Sequence, residues 1–185
     1  MRSKQHRLII SVSFLGLSTI LLLAALMVQA SASHTSREGN AFKAKIPPKG
    51  SVYAINVVGT AHLSGKVIKK PVSADMEFKV ISTKSTGIPS VSLQLISGKF
   101  SLGNDVYVLN KGSTTIVANK VNIKVSSEDG LKILTVSATL AGSLPVSTSE
   151  DPVKLVPALA RKSASIQVVV EKWILGFGGN IDRIS

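Results

Sequence analysis

The sequence predicts an all-β domain, either an antiparallel β-sandwich or a partly open β-barrel of about seven or eight strands, preceded by one N-terminal hydrophobic helix. Val, Ile and Thr supply 41 of the 155 residues from Ser31 onward, and β-branched side chains favour strands over helices. Apolar and polar residues alternate along most of this part, which is the period of a half-buried strand. The connections between the alternating runs are too short for crossover helices, which indicates antiparallel pairing.

The chain begins with a basic flank followed by a long apolar run. Arg2, Lys4 and Arg7 precede residues 8–28, which are mostly Leu, Ile, Val, Ala and Met. A helix of that length would extend about 31 Å, the thickness of a bilayer core. Cations on the N-terminal side keep that side in the cytoplasm, so the rest of the chain is expected outside. The predicted membrane-spanning helix contains Leu8, Leu15, Leu22 and Val28.

The alternative is a cleaved secretory signal, because Val28-Gln29-Ala30 before Ser31 fits a small-x-small cleavage site. The predicted organisation is therefore a signal-anchor or signal peptide over residues 1–30, a flexible spacer over 31–49 and an extracytoplasmic β-domain over 50–185. The expected location is the cell membrane, as a single-pass protein with its C-terminal domain outside, or the medium after cleavage. Whether Ile46 already belongs to a first strand stays open.

The predicted strands are defined by their apolar faces, in which every second residue is expected to point into the core. In chain order, these faces are Tyr53, Ile55 and Val57; Met76, Phe78 and Val80; Val91, Leu93 and Leu95; Val121, Ile123 and Val125; Leu134, Val136, Ala138 and Leu140; and Ile166, Val168 and Val170.

Turn residues separate these runs. Asp129-Gly130 and Gly103-Asn104 favour tight hairpins, and Ser64-Gly65-Lys66 predicts a turn or bulge. Residues 142–164 contain three prolines and predict a long surface connection, with Asp151-Pro152 suited to start one helical turn. The glycine-rich stretch 176–180 predicts a turn or a frayed tail.

The composition argues against an enzyme. The chain has no Cys, which excludes disulfides, Cys-based zinc sites, iron–sulfur clusters and a cysteine nucleophile. His62 is the only histidine inside the predicted domain, and a Ser/His/acid site would need it to meet Asp75 or Glu77. Because no Gly-x-Ser-x-Gly motif and no metal-ligand spacing occur, we expect no catalytic residues, no metal and no cofactor.

Positive charge is the remaining signal. From Ser31 onward the chain has 19 basic and 10 acidic residues. Outside the membrane such a surface suits anionic lipids, acidic glycans or an envelope protein rather than nucleic acid. The candidate polyanion contacts are Lys69, Lys70, Arg161 and Lys162, and the alternative is a solubilising coat of scattered lysines. The oligomeric state stays open.

One N-terminal span followed by a Cys-free β-domain rich in Ser, Thr and Val resembles microbial cell-envelope proteins in composition. The expected function is a non-enzymatic binding or structural module, whose partners meet its basic surface or add a strand to a sheet edge. The alternative is a carrier of a small apolar ligand inside a barrel, which a lumen filled by Leu93, Leu95 and Ile123 would argue against. A hydrolase is the least favoured expectation.

Overall fold

The computed structural model describes residues 46–159 and 164–185, and these form a closed antiparallel β-barrel. The barrel order is β1-β2-β3-β5-β6-β7-β8-β10, and β10 returns to β1. The strands are β1 (Val52–Leu63), β2 (Lys69–Lys84), β3 (Ser90–Leu102), β4 (Asp105–Leu109), β5 (Lys111–Val117), β6 (Lys120–Ser126), β7 (Lys132–Leu140), β8 (Val153–Pro157), β9 (Ala164–Val168) and β10 (Glu171–Arg183).

The barrel closes between its first and last strands. β1 and β10 pair continuously from Tyr53–Arg183 to Leu63–Trp173. The prediction of an all-β antiparallel fold is confirmed, but the expected sandwich or partly open barrel is replaced by a fully closed one. The reason is the length of β10, which lies against β1 on one edge and against β8 and β9 on the other.

Two short strands in tandem form one side of the barrel. Both β8 and β9 lie between β7 and β10 and run antiparallel to each of them, with residues 158–163 between them. The helical turn expected at Asp151-Pro152 is wrong, because β8 begins at Val153. Leu155 is buried and pairs with Leu140 and Gly179. The alternation of apolar and polar residues therefore forms a strand here, although the segment contains prolines.

The glycine-rich stretch is also not a turn, because residues 176–180 lie inside β10. The two strands approach so closely here that a Cβ atom on Gly59 would lie 2.0 Å from the carbonyl oxygen of Gly176. A Cβ atom on Gly179 would lie 2.2 Å from the carbonyl oxygen of Asn56. These glycines therefore serve the close pairing of β1 with β10.

Side chains fill the barrel interior. The predicted apolar faces point inward, and Leu93 and Ile123 expose no more than 1% of their surface. Trp173 is buried as well, so it packs in the core. Val170 is the exception, because it lies in the β9–β10 turn and is 92% exposed.

A corner divides β3 into two halves. The register between β2 and β3 shifts where Ile96 is left without a partner, which is a β-bulge. On the other side of β3, the chain breaks between β4 and β5 at Asn110, and Gly112 adopts a φ of 141°. After the corner, residues 98–102 of β3 pair with β4 to form a hairpin. Before the corner, residues 90–94 of β3 pair with β5.

A connection between β7 and β8 covers the end of the barrel where β1 begins, called here the Val52 end. The Tyr53 hydroxyl donates to the Pro145 carbonyl, and the Arg183 guanidinium donates to the Val146 carbonyl. Leu144 and Pro145, which belong to this connection, are buried. Burial raises the pKa of Tyr53 to about 12, with Arg183 opposing the increase and Glu150 adding to it.

We expect Tyr53→Phe to lower the free energy of unfolding by about 1–3 kcal/mol, because the Pro145 carbonyl loses its buried donor. The fold favours the neutral phenol, so the wild type loses stability as pH rises from 10, the ordinary tyrosine value, through about 12. Denaturant unfolding at steps across this range should show the advantage of the wild type over Tyr53→Phe shrinking. An equal decline in both proteins would contradict the assignment.

The β9–β10 turn contains a strained residue. Val169 has a φ of 55° and is 49% exposed, a left-handed conformation that is unfavourable for a β-branched side chain. We expect Val169→Asn to raise the free energy of unfolding by roughly 1 kcal/mol, because asparagine tolerates this region. Val170→Asn in the same turn is the control, with a change expected within about 0.5 kcal/mol. Equal shifts in thermal unfolding would contradict strain at Val169.

Within the parts of the chain that the structure describes, no helix is long and apolar enough to span a membrane. The predicted helix containing Leu8, Leu15, Leu22 and Val28 lies outside the described residues, as does most of the predicted spacer.

Candidate functional site

β4 differs from the other described strands in having a partner on one side only. It pairs with β3 from Leu102–Asp105 to Gly98–Leu109. Each of the other strands has neighbours on both sides. No described residue pairs with the second edge of β4, so this edge is a free sheet edge.

The turn that begins β4 determines which backbone groups face this edge. Gly103 and Asn104 form a two-residue hairpin loop, and Gly103 at its first position has a φ of 66°. Leu102 and Asp105, which close the loop, are a hydrogen-bonded pair, and such pairs alternate along an antiparallel ladder. The amide and carbonyl groups of Val106 and Val108 therefore point away from β3, toward the free edge.

The side chains of the free edge are apolar and accessible. Val106 and Val108 expose 64% and 66% of their surface. Edge strands are commonly protected by lysine, proline or a bulge, and residues 106–109 contain none of these. Asp105 precedes them, and its carboxylate lies 3.7 Å from the Lys70 ammonium. The free edge is thus an unprotected template for strand addition.

Aromatic packing holds the β3–β4 hairpin in place. The rings of Phe100 and Tyr107 lie 4.9 Å apart, and Phe100 is fully buried. Burial raises the pKa of Tyr107, and the carboxylates of Asp105 and Glu171 add to the increase. Because Glu171 begins β10, Tyr107 lies at the end of the barrel where β1 ends, called here the Leu63 end. These contacts preorganise β4 before any partner binds.

A groove lined by polar and apolar side chains crosses the outer surface of β1, β2, β3 and β4, on the side of β4 that pairs with β3. Its volume is about 410 Å³, and Val108 forms part of its wall. Lys99 pairs with Asp75 on one side and with Val108 on the other, so it links the groove to β4. Glu77 accepts a hydrogen bond of 3.3 Å from the Ser97 hydroxyl. Asp75 and Glu77 belong to β2, and β3 lies between them and β4, so the groove and a segment added at the free edge would lie on opposite sides of β4.

A second cleft, about 280 Å³ in volume, opens at the Val52 end. Its lining is mostly apolar and includes Ile46, Val91, Ile116 and Leu144. Val91 and Ile116 belong to the barrel interior, whereas Ile46 precedes the first strand. The cleft is thus a mouth of the barrel rather than a lumen that runs through it.

The structure describes two of the four predicted polyanion contacts, Lys69 and Lys70. Lys70 lies 5.5 Å from the centre of the Trp173 ring and faces the Asp105 carboxylate, so its charge is used within the fold. Lys69 is exposed at the start of β2. Arg161 and Lys162 lie outside the described residues. Lys69 and Lys70 are therefore neighbours that differ in role.

His62 and the two acids considered with it do not meet. His62 is exposed on β1 opposite Lys69 and Ile174. Asp75 pairs with Asn56, which lies six residues earlier on β1, or about 20 Å at the rise of a strand. Within the described residues, no group of three or more His, Cys, Asp or Glu side chains is arranged to hold a metal ion.

The local sequence pattern does not predict the free edge. It identifies Gly103-Asn104-Asp105 as a turn before Val106, Tyr107 and Val108, which is the local part of the signal. The number of strands that pair with β4 depends on where β5 to β7 lie, and no local pattern contains that information.

No protein-family model, no curated protein and no solved structure matches the chain.

Proposed function

We propose that this protein is a non-enzymatic binding module of the cell envelope, anchored in the membrane or secreted, that captures an extended partner segment on the free edge of β4. The observation that carries the proposal is the edge of β4 that no described residue pairs with, toward which the amide and carbonyl groups of Val106 and Val108 point beside their exposed side chains. The envelope location rests on the basic flank and apolar run at the N-terminus.

Strand addition uses this geometry directly. The backbone groups of Val106 and Val108 would form the hydrogen bonds, and alternate side chains of the partner would read the surface beside them. On the outer surface the partner would contact the exposed side chains of Val106 and Val108. The excess of basic over acidic residues favours a partner segment that carries acidic side chains around an apolar centre.

A proline scan of the edge tests the proposal. Random peptides displayed on phage would be selected on the full-length protein, and the selected peptides measured against Val106→Pro and Val108→Pro. Each substitution removes an outward amide while leaving the pairing with β3, so we expect at least a tenfold loss of affinity, the equivalent of about one hydrogen bond.

Val106→Thr and Val108→Thr are the matched controls, because they keep the amide and a β-branched side chain. They are expected to bind within about threefold of the wild type. Protection of the Val106 and Val108 amides from hydrogen exchange on binding would support the proposal. Selected peptides that bind the proline variants as well as the wild type, or a selection that yields no binder, would contradict it.

Side chains such as Leu93 and Ile123 fill the lumen, which argues against a carrier that holds its ligand inside the barrel. The cleft at the Val52 end supports a second candidate, a carrier that holds a small apolar ligand at the mouth of the barrel. The support is its apolar lining by Val91, Ile116 and Leu144 and a volume of about 280 Å³, just below the usual range of ligand sites. A carrier would lose uptake of a fluorescent fatty acid in Ile116→Trp, which fills the cleft, and would keep it in Val106→Pro. The peptide-binding module is expected to show the opposite pattern.

A further inference from the structure

Three loops at the Leu63 end of the barrel expose aliphatic side chains. They are the β1–β2, β6–β7 and β9–β10 loops, and each projects beyond the strands that it joins. We call these side chains the apolar rim: Val67, 100% exposed; Ile68, 44%; Leu131, 48%; Val169, 49%; and Val170, 92%.

Backbone hydrogen bonds bring the three loops together. The Ser64 amide donates to the Lys172 carbonyl at 2.9 Å, which joins the β1–β2 loop to the start of β10. The Val169 amide donates to the Leu131 carbonyl at 2.7 Å, which joins the β9–β10 and β6–β7 loops. The three loops are therefore neighbours, and their exposed aliphatic side chains lie at the same end of the barrel rather than scattered over its surface.

The two valines that the β9–β10 turn contributes to the apolar rim are unfavourable for the stability of the fold. A two-residue hairpin loop favours Gly, Asn or Asp, because a residue there must adopt a positive φ. This loop instead has Val169 in the strained conformation and Val170 almost fully exposed. Strain that coincides with exposed apolar surface points to a role outside folding.

The charges around the apolar rim are mainly positive. Lys66 and Lys69 belong to the β1–β2 side and are exposed, and Lys172 flanks the β9–β10 loop. Asp129 faces the rim from the β6–β7 loop, and Lys132 holds its carboxylate. The other acids at this end are Glu128, Glu171 and Asp105. The Lys111 ammonium donates to the Glu128 backbone carbonyl at 2.9 Å, and the Asp105 carboxylate lies 3.7 Å from the Lys70 ammonium.

We infer that the apolar rim inserts into the interfacial region of a lipid bilayer that contains anionic lipids. Valine, isoleucine and leucine tips on separate loops, flanked by lysines, match the apolar acyl boundary and the negative headgroups above it. A protein partner is disfavoured, because binding hot spots are enriched in Trp, Tyr and Arg and the rim contains none. This inference is independent of partner binding at β4.

The absence of cysteine allows a site-specific test in the full-length chain. Val67→Cys and Val170→Cys would each be labelled with the environment-sensitive fluorophore NBD. Ile88→Cys is the control, because Ile88 is 66% exposed in the β2–β3 turn at the Val52 end. On vesicles of equal parts phosphatidylcholine and phosphatidylglycerol, we expect a blue shift at positions 67 and 170 and none at position 88.

All three labelled proteins share the N-terminal apolar run, so only a difference between positions supports the inference. An unchanged spectrum at positions 67 and 170, or an equal shift at all three, would overturn it. An equal shift at positions 67 and 170 on pure phosphatidylcholine would also overturn it, because anionic lipid would then be unnecessary.

Charge reversal tests the lysines separately. Lys66→Glu with Lys172→Glu is expected to reduce the blue-shifted fraction at position 170 on the anionic vesicles. The apparent affinity should fall by at least about twentyfold, since each lysine near an anionic surface contributes roughly fivefold. Lys79→Glu with Lys120→Glu changes the net charge equally at the Val52 end and should have little effect. Equal losses in the two double variants would contradict an oriented contact.

Discussion

Gly59→Ala is expected to prevent formation of the closed barrel. The new Cβ atom would lie 2.0 Å from the Gly176 carbonyl oxygen and 2.9 Å from the Phe177 Cα. Both are backbone atoms of β10, so no flexible side chain can move aside, and β1 and β10 would have to separate. We expect a loss of about 4–5 kcal/mol or more, which approaches the whole stability of a typical domain.

Gly178→Ala is the matched control, because no atom lies within 4 Å of its added Cβ. It makes the same chemical change in the same strand, and its expected effect lies within about 1 kcal/mol. Gly179→Ala, with the Asn56 carbonyl oxygen at 2.2 Å, should resemble Gly59→Ala. Thermal unfolding and the near-ultraviolet circular dichroism of Trp173 measure all three. Equal stability of Gly59→Ala and Gly178→Ala would show that β1 and β10 are not closely packed there.

These glycines also explain why the sequence could predict the strands but not the closure. The alternation of Met76, Phe78 and Val80 is a local property, and those side chains are buried as predicted. A glycine run is an ambiguous local signal, because turns and close strand pairs both favour it. Only the pairing of Gly179 with Val57, more than a hundred residues earlier, decides between them.

The candidate site was harder to predict for the same reason. Lys69 and Lys70 are identical in sequence terms, yet only Lys70 faces the Asp105 carboxylate and the Trp173 ring. Val169 and Val170 continue an alternating apolar run, and no Gly or Asn marks the turn. Valine is unfavourable in a turn, so the local sequence gives no sign of one at these residues. Only the pairing of β9 with β10 places the turn there.

Phe100→Ala has the second largest expected effect, a loss of about 3–5 kcal/mol in the free energy of unfolding. Phe100 is fully buried and its ring lies 4.9 Å from that of Tyr107. Alanine leaves a cavity beneath the β3–β4 hairpin, whereas Phe100→Leu keeps most of the volume and should cost less than about half as much. Denaturant unfolding of the two variants measures this difference.

The part of the barrel that Phe100 substitutions destabilise is more informative than the size of the loss in stability. Phe100 packs beyond the corner at Ile96, so its removal should loosen the β3–β4 hairpin first and leave the β6–β7 pairing around Ile123 protected. In the Phe100→Leu protein, which stays folded, the amide of Tyr107 should exchange faster through local opening, while that of Ile123 changes little.

Binding of peptides selected on the free edge should weaken in parallel, because a partner would then have to order β4 as it binds. Uniform acceleration of exchange at Tyr107 and Ile123 would mean that the hairpin has no independent motion. Preorganisation by Phe100 would then not explain recognition at the edge.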